Sequence, residues 1–334
     1  MKKKATTQPE RGTAKRAGEF ALIRDVFAPL THGHPGALGL TDDAALLEVP
    51  EGAELVVTAD ALAQGVHFRD DDPPADIARK LLRVNLSDLA AKGARPLGYV
   101  MTCAWAPPTT QEFIEDFAAG LDDDFARFGV PLLGGDTLVT KEKMSFSLTA
   151  FGFVARGTML RRAGARPGNL VYVSGSIGDA YLGLELLEGR LRCDEEAAAY
   201  LTRRYRLPEP RLDLGQRLVG CATACIDVSD GLVADAAHIA ETSGAAICLS
   251  LADVPLSKAA RASAADPVAL VTGGDDYELL FTLPPEKQST IEALAAETGL
   301  PLTRIGRVTE GSGVTVLDAA GKAVRIRRTG YEHL

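Results

Sequence analysis

The strongest constraint on the fold is the way short apolar runs alternate with longer amphipathic runs along the chain. Residues 145–154 alternate apolar with polar or small side chains, a pattern typical of a half-buried strand. Residues 112–128 instead place Phe113, Phe117 and Leu121 near one helical face, and Gly129 follows where a C-cap glycine is expected. Because strands and helices alternate in both halves of the chain, we predict an α/β (α+β) fold.

The same criteria assign further elements. Helices are predicted at 76–92, 112–128, 179–188, 212–220, 232–242 and 287–298. Strands are predicted at 45–49, 55–58, 98–105, 145–154, 170–173, 224–228, 247–251 and 277–283, with short strands filling 302–326.

The length of 334 residues favours two domains. Residues 1–18 are basic and polar and lack periodicity, so we predict a disordered tail there. The segment 156–169 is rich in Arg, Gly and Pro and is predicted to separate the domains. We therefore expect an N-terminal α/β domain at 19–157 and a C-terminal α/β domain at 158–334.

Charge and cysteine content narrow the function classes. The net charge of −9 argues against nucleic acid or an anionic membrane as the main partner. The five cysteines include no C-x-x-C pair, which indicates reduced thiols. No apolar run approaches the ~20 residues of a membrane span, and polar residues follow the basic start. We expect a cytoplasmic protein.

Aspartates recur beside small residues at the edges of predicted strands and helices. Small neighbours let the backbone approach a ligand closely. The short carboxylate is a hard oxygen ligand of the kind that suits Mg²⁺, which also takes substrate phosphate oxygens. An aspartate in a turn is also a common cap, so a metal site requires these residues to converge. They are Asp42, Asp43, Asp60, Asp88, Asp136, Asp227, Asp230, Asp275 and Asp276.

Several familiar catalytic patterns are absent from the sequence. It has no G-x-x-x-x-G-K-[ST] loop and no H-R-D with D-F-G, which argues against P-loop and protein-kinase sites. It also has no H-E-x-x-H and no G-x-S-x-G, and its five histidines are scattered. The residues by themselves indicate a magnesium-dependent, phosphate-handling α/β enzyme.

The ordered set of motifs resembles the thiamine-monophosphate kinases, of the aminoimidazole-ribonucleotide-synthetase-like superfamily, from Gly18 to the end of the chain. The motifs are Gly18-Glu-Phe-Ala-Leu-Ile, Thr41-Asp-Asp-Ala-Ala-Leu-Leu, Val84-Asn-Leu-Ser-Asp-Leu-Ala-Ala-Lys-Gly-Ala, Leu133-Gly-Gly-Asp-Thr, Ile226-Asp-Val-Ser-Asp-Gly-Leu, Gly273-Gly-Asp-Asp-Tyr-Glu-Leu and Gly330-Tyr-Glu-His.

The resemblance implies a fold, a reaction and a set of site residues. The N-terminal sheet would pair with that of a second subunit in a homodimer. ATP and several Mg²⁺ ions would lie between the domains, and ATP would phosphorylate thiamine monophosphate directly. Magnesium ligands are implied at Asp43, Thr58, Asp60, Asp88, Asp136, Asp227 and Asp230. ATP contacts are implied at Gly135, Asp136, Arg162 and Ser229, and substrate contacts at His67, Asp275 and Arg328. The resemblance also implies catalytic roles for Asp136, Asp227, Asp230 and Arg162.

The chain departs from the family pattern at three positions, and other functions stay open. Thr41 replaces a common glycine, Asp275 stands where Glu is frequent, and Arg328 replaces an aromatic residue for which Tyr331 is a nearby substitute. Another ATP-dependent synthetase or ligase of the superfamily, a metal-dependent phosphohydrolase and a non-catalytic nucleotide-binding module are the alternatives.

Overall fold

The computed structural model describes residues 17–331. The helices are α1 (Glu19–Leu22), α2 (Pro74–Ala91), α3 (Gln111–Phe128), α4 (Asp179–Leu187), α5 (Glu195–Arg206), α6 (Leu212–Leu218), α7 (Leu232–Ser243), α8 (Lys258–Ala262), α9 (Pro267–Thr272) and α10 (Gln288–Thr298). The strands are β1 (Ala53–Ala63), β2 (Arg95–Trp105), β3 (Leu132–Val139), β4 (Ser145–Ala155), β5 (Leu170–Ser174), β6 (Ala224–Asp227), β7 (Ala246–Ser250), β8 (Leu279–Leu283), β9 (Leu302–Thr309) and β10 (Gly313–Leu317).

The N-terminal sheet has the strand order β1-β4-β2-β3, with β2 and β3 parallel and the other neighbours antiparallel. Helix α2 packs on β1 and β4, and α3 packs on α2. An aromatic cluster fills the space between α3 and the sheet, with Trp105 edge-on to Phe117 and Phe146. One face of this sheet is therefore buried by helices, as the alternation in 145–154 predicted.

The C-terminal sheet has six strands in the order β10-β7-β9-β5-β8-β6, of which β10 and β7 are parallel and the other neighbouring pairs antiparallel. Its largest core contains Val171, Ile226, Ile239, Leu280 and Ile305, all nearly inaccessible to solvent. The chain thus has two α/β domains, each with its own sheet and core, and the predicted boundary at 157/158 lies in the segment between them.

Helix α2 joins the two domains. Ala90 and Ala91 at its end belong to the same buried cluster as Leu214 and Leu218 of α6. The two helices approach so closely that a Cβ on Gly215 would lie 1.9 Å from the backbone oxygen of Ala90. Only glycine fits there, because any side chain would collide with backbone rather than with a movable group.

The structure corrects parts of the predicted assignment. Residues 45–49 are irregular instead of a strand. Phe20, Ile23, Phe27 and Leu30 recur at helical spacing, and the segment forms α1 followed by a π-helical turn at 23–27 and a 3₁₀ turn at 28–31. Strand β3 and helix α5 were not predicted. In β3 the pair Gly134-Gly135 weakens the strand pattern, since glycine has low strand propensity.

The predicted tail lies largely outside the described residues. Ala17 and Gly18 are described: the Ala17 N–H donates to Gln111 Oε1 at 3.2 Å, and Gly18 is the N-cap of α1. Among the helices within 17–331, none combines the length and apolar character needed to cross a bilayer.

We expect Gly215→Ala to lower the free energy of unfolding by about 1–3 kcal/mol, because the new methyl group forces α6 away from α2. Thermal and urea unfolding of the purified protein measure this. Gln216→Ala, an exposed neighbour on α6, is the control and should leave stability nearly unchanged. Equal stability of the two variants would contradict the close α2–α6 contact.

A candidate active site at the domain junction

Four predicted metal-binding aspartates converge where the domains meet. Asp60 lies on β1, Asp88 on α2, Asp227 at the end of β6, and Asp230 in the loop that follows. Burial and the charges of Asp88 and Asp230 raise the pKa of Asp60 to about 6. Burial and the charges of Asp88 and Asp60 likewise raise the pKa of Asp227, against the hydrogen bond from Ser87. The mutual effects show that these carboxylates, from both domains, share one electrostatic environment.

Hydrogen bonds fix the orientation of this carboxylate cluster. The Thr58 hydroxyl donates to Asp88 Oδ2, and the Asp60 N–H donates to Asn85 Oδ1 at 3.1 Å. Asn85 and Asp88 therefore face β1 together, as their three-residue spacing predicts. Across the domain junction, the Ser87 hydroxyl donates to Asp227 Oδ2 at 2.7 Å.

The loop carrying Ser229 and Asp230 is shaped by Asp235, which sequence reasoning missed. Asp235 is buried on α7, and its Oδ2 accepts three backbone N–H bonds, from Ser229, Asp230 and Gly231. Burial first, and then the charges of Asp227 and Asp230, raise its pKa well above the ordinary range. Asp230, Asp235 and His238 also present ligand atoms within 4.8 Å of one another, a spacing that suits a metal ion.

A buried lysine connects two predicted substrate residues. Lys80 on α2 is 3% exposed, and its Nζ donates to Asp275 Oδ2 at 2.8 Å and to the His67 backbone oxygen at 3.3 Å. The same Nζ lies 4.0 Å from the centroid of the Tyr205 ring. Asp275 has a φ of 71°, and its N–H donates to the Ser229 oxygen. His67, Asp275 and the carboxylate loop are thus linked.

Three other predicted residues line a separate cavity of about 370 Å³ in the N-terminal domain. Asp43, Gly135 and Asp136 lie in it beside apolar side chains that include Ile23 and Phe27. A Cβ on Gly135 would lie 1.9 Å from the Met101 oxygen, so this position requires glycine. The cavity therefore joins three aspartates, these two and Asp42, to an apolar wall.

Strand register relates this cavity to the carboxylate cluster. Asp60 pairs with Leu148, Leu148 with Met101, and Met101 with Gly135. Asp60 and Gly135 thus occupy one level of the sheet, three strand spacings or ~14 Å apart. An elongated ligand lying across the strands would reach both groups.

The two predicted arginines are placed differently. Arg162 is exposed in the inter-domain segment, and its backbone oxygen accepts a bond from Ser243 Oγ; its guanidinium makes no ion pair with any residue in 17–331. Arg328 is exposed, with its guanidinium 5.8 Å from the Tyr331 ring centroid. The Tyr331 N–H donates to the Asp230 oxygen at 3.0 Å, which holds the C-terminal segment beside the cluster.

Lys80, Ser87 and Asp235 are the site residues that sequence reasoning missed. A signal existed for Lys80 and Ser87, because both lie on the predicted helix 76–92 that also carries Asp88. No local pattern identifies Asp235, since its role depends on the loop 229–231 folding so that its backbone N–H groups point at the Asp235 carboxylate.

Both domains of the chain match known family models. Residues 41–154 match the family model of the AIR synthase related protein N-terminal domain, and 166–319 match the C-terminal domain model. The chain is 41% identical over 322 residues to a thiamine-monophosphate kinase of Caulobacter vibrioides, covering 94% of this chain and 90% of that protein.

Solved structures give the same result. A thiamine-monophosphate kinase from Stenotrophomonas maltophilia is 40% identical, with a TM-score of 0.83 over 92% of this chain and 98% of that one. AaThiL complexed with AMPPCP and TMP is 32% identical, with a TM-score of 0.76 over 95% and 97%. The chain therefore belongs to the thiamine-monophosphate kinase family of the AIR synthase-related proteins.

Proposed function

We propose that this protein transfers the γ-phosphoryl group of ATP to thiamine monophosphate, giving thiamine diphosphate and ADP. The observation that carries the proposal is the cluster of Asp60, Asp88, Asp227 and Asp230 at the domain junction, in a chain that belongs to this family. A relative of the same fold holds an ATP analogue and TMP, which supports both substrates.

The donor set fits Mg²⁺, because it consists of short carboxylates and a hydroxyl, which are hard oxygen ligands. Bound cations would also relieve the repulsion between the carboxylates. Thr58 and the four clustered aspartates would hold ions on one side, and Asp43 and Asp136 on the other. When bound, Mg²⁺ neutralises charge on the phosphate oxygens of ATP. The chain is acidic, so its carboxylates alone would repel phosphate. With cations held by these residues, the same surface would attract it.

The residues near the reacting groups have positioning and electrostatic roles. Gly135 lets β3 lie close to the Met101 backbone and so fixes the position of the adjacent Asp136, and Ser229 lies in the loop held by Asp235. A phosphate monoester oxygen is already anionic near neutral pH, so the acceptor requires no general base. We infer direct in-line transfer, with catalysis arising from positioning. Arg162 and Arg328 stay predicted contacts of ATP and substrate.

Lys80 has a specific part in this proposal. Its Nζ donates to the Asp275 carboxylate at 2.8 Å, and the lysine itself is buried. Asp275 is shorter than the glutamate common in the family, so its reach depends on where Lys80 places it. We infer that Lys80 positions Asp275 and the His67 segment toward thiamine monophosphate.

We further propose a homodimer formed by the N-terminal sheet. The face of this sheet opposite α2 carries Leu55 and Val57, which are 44% and 54% exposed. They pair across strands with the half-buried Phe153 and Phe151, making one apolar surface. Such a surface is typical of a protein interface. The predicted cytoplasmic location stays a prediction.

Phosphorus NMR of the purified protein with ATP, Mg²⁺ and thiamine monophosphate tests the reaction. We expect thiamine diphosphate and ADP to form in equal amounts. Release of ADP and free phosphate without thiamine diphosphate would favour a hydrolase or another acceptor. Unchanged ATP, with ATP binding shown separately, would favour a non-catalytic module.

Asp136→Asn and Asp227→Asn should each remove most turnover, because each deletes a predicted magnesium ligand; a loss of roughly 10²-fold or more is expected. Turnover is measured by the same NMR assay, and circular dichroism checks the fold. Asp123→Asn, on the exposed face of α3, is the control and should keep normal turnover. Near-normal activity in both site variants would refute the metal-site assignment.

Lys80→Met should raise KM for thiamine monophosphate more than KM for ATP, because it frees Asp275. Steady-state kinetics with each substrate varied measure the split. Lys141→Met, an exposed lysine, is the control. If Lys80 acts through Asp275, the double variant with Asp275→Asn should be no worse than the poorer single variant. Additive losses would contradict the positioning role.

Val57→Glu should convert the dimer to monomers, because a charge is placed in the apolar face. Size-exclusion chromatography with light scattering should give twice the 35.2 kDa chain mass for the unaltered protein and a single chain mass for the variant. Ala119→Glu on the exposed side of α3 should stay dimeric. A monomeric unaltered protein would overturn the proposal.

A further inference from the structure

A second cavity, of about 670 Å³, lies apart from the carboxylate cluster and is lined by arginine. Its walls come from both domains: α2 and α3 on one side, α5, α8 and the segment after α5 on the other. The seven arginines are Arg79, Arg83, Arg127, Arg203, Arg204, Arg211 and Arg261. This concentration of positive charge contrasts with the net charge of −9 for the whole chain.

The carboxylates around the cavity balance only part of this charge. Glu209 and Glu278 are the acidic residues among its lining. Glu278 accepts two bonds from Arg211 and one from Arg204. Glu209 pairs with Arg127, and the fully buried Asp124 pairs with Arg79 and Arg83. These pairs hold several guanidinium groups rigidly in the wall without neutralising the whole set.

Two arginines of the wall have no charged partner among the described residues. Neither Arg203 nor Arg261 forms an ion pair or hydrogen bond with another side chain among residues 17–331. Arg204 is 7% exposed, and its buried Nε has no hydrogen-bond partner in the described part of the chain but lies 3.8 Å from Asp179 Oδ2, with which it forms an ion pair. Guanidinium groups present paired N–H donors whose geometry matches phosphate oxygens.

The rest of the wall is apolar. Leu207, Pro255, Leu256, Leu300 and Pro301 line the cavity beside the arginines. A ligand that fills the cavity therefore needs an anionic end and an apolar or ring-containing end. An organic phosphate has both, whereas a simple inorganic anion has one.

Helix α5 separates this cavity from the proposed substrate residues. Arg204 lines the cavity, while the adjacent Tyr205 lies against Lys80 on the other side. Arg204 also donates to the Asp276 backbone oxygen at 3.2 Å, next to Asp275. None of the four clustered aspartates lines the cavity, and α5 separates it from Lys80 and Asp275.

We propose that this arginine-lined cavity binds an organic phosphate carrying at least two phosphate groups, without a metal ion. The N- and C-terminal domain arginines would contact the phosphates together, and the apolar wall would hold the organic part. The site goes beyond the proposed kinase reaction and does not depend on it, because its ligand contacts none of the proposed catalytic residues.

Calorimetric titration of the full chain with inorganic diphosphate in EDTA tests the site. Without metal the carboxylate cluster repels anions, so binding reports the cavity. We expect one diphosphate per chain, weakened about ten-fold or more in Arg203→Ala/Arg261→Ala. The control, Arg156→Ala/Arg192→Ala, removes two exposed arginines elsewhere and should change affinity by less than about two-fold.

Two results would overturn the proposal: an absence of saturable binding, or equal weakening in both double variants, which would show a general charge effect. ADP and thiamine diphosphate are titrated in the same way. We expect one of these two compounds to bind more tightly than inorganic diphosphate and to lose its higher affinity in Arg203→Ala/Arg261→Ala. That compound identifies the organic part of the ligand. If neither does, the role assigned to the apolar wall is wrong.

Discussion

The packing of helix α2 between the two domains is the contact on which the rest of the structure depends. One face of α2 covers the N-terminal sheet, its end packs against α6 without room for a side chain on Gly215, and Ser87 reaches Asp227 in the other domain. The helix also carries Asp88 and Lys80. A shift of α2 would therefore disturb the core, the domain junction and the candidate site together, since close-packed interiors transmit strain.

The two proposed phosphate-binding regions of the chain carry opposite charge. At the junction, the half-buried Asp60 and the buried Asp227 lie near other carboxylates, an arrangement that is costly without cations and thus suited to hold them. Behind α5, guanidinium groups such as Arg203 are gathered around a cavity that needs no metal. The two regions represent opposite ways for an acidic protein to attract phosphate, and Arg204 and Tyr205 lie between them.

Local patterns predicted the long elements well and the irregular ones poorly. The helix at 76–92 and the strand at 145–154 were predicted to within a few residues, because burial of one face imposes a clear period. Strand β3 was missed because Gly134 and Gly135 interrupt its pattern, although the same two glycines beside Asp136 belong to one of the motifs that carry the family resemblance. Helix α5 was missed despite Asp194, whose side chain caps it by accepting from the Ala197 N–H.

By itself the sequence determined the alternating α/β order, the positions of the small-residue aspartate motifs and, through their order, the resemblance to a kinase family. These are local properties, since propensity and motif spacing are read along the chain. Tertiary structure alone decided which aspartates meet, because Asp60 and Asp227 are 167 positions apart and converge only when α2 docks against both domains. It also decided that Lys80 faces Asp275 and that arginines from five segments surround one cavity, since such contacts depend on packing between distant elements.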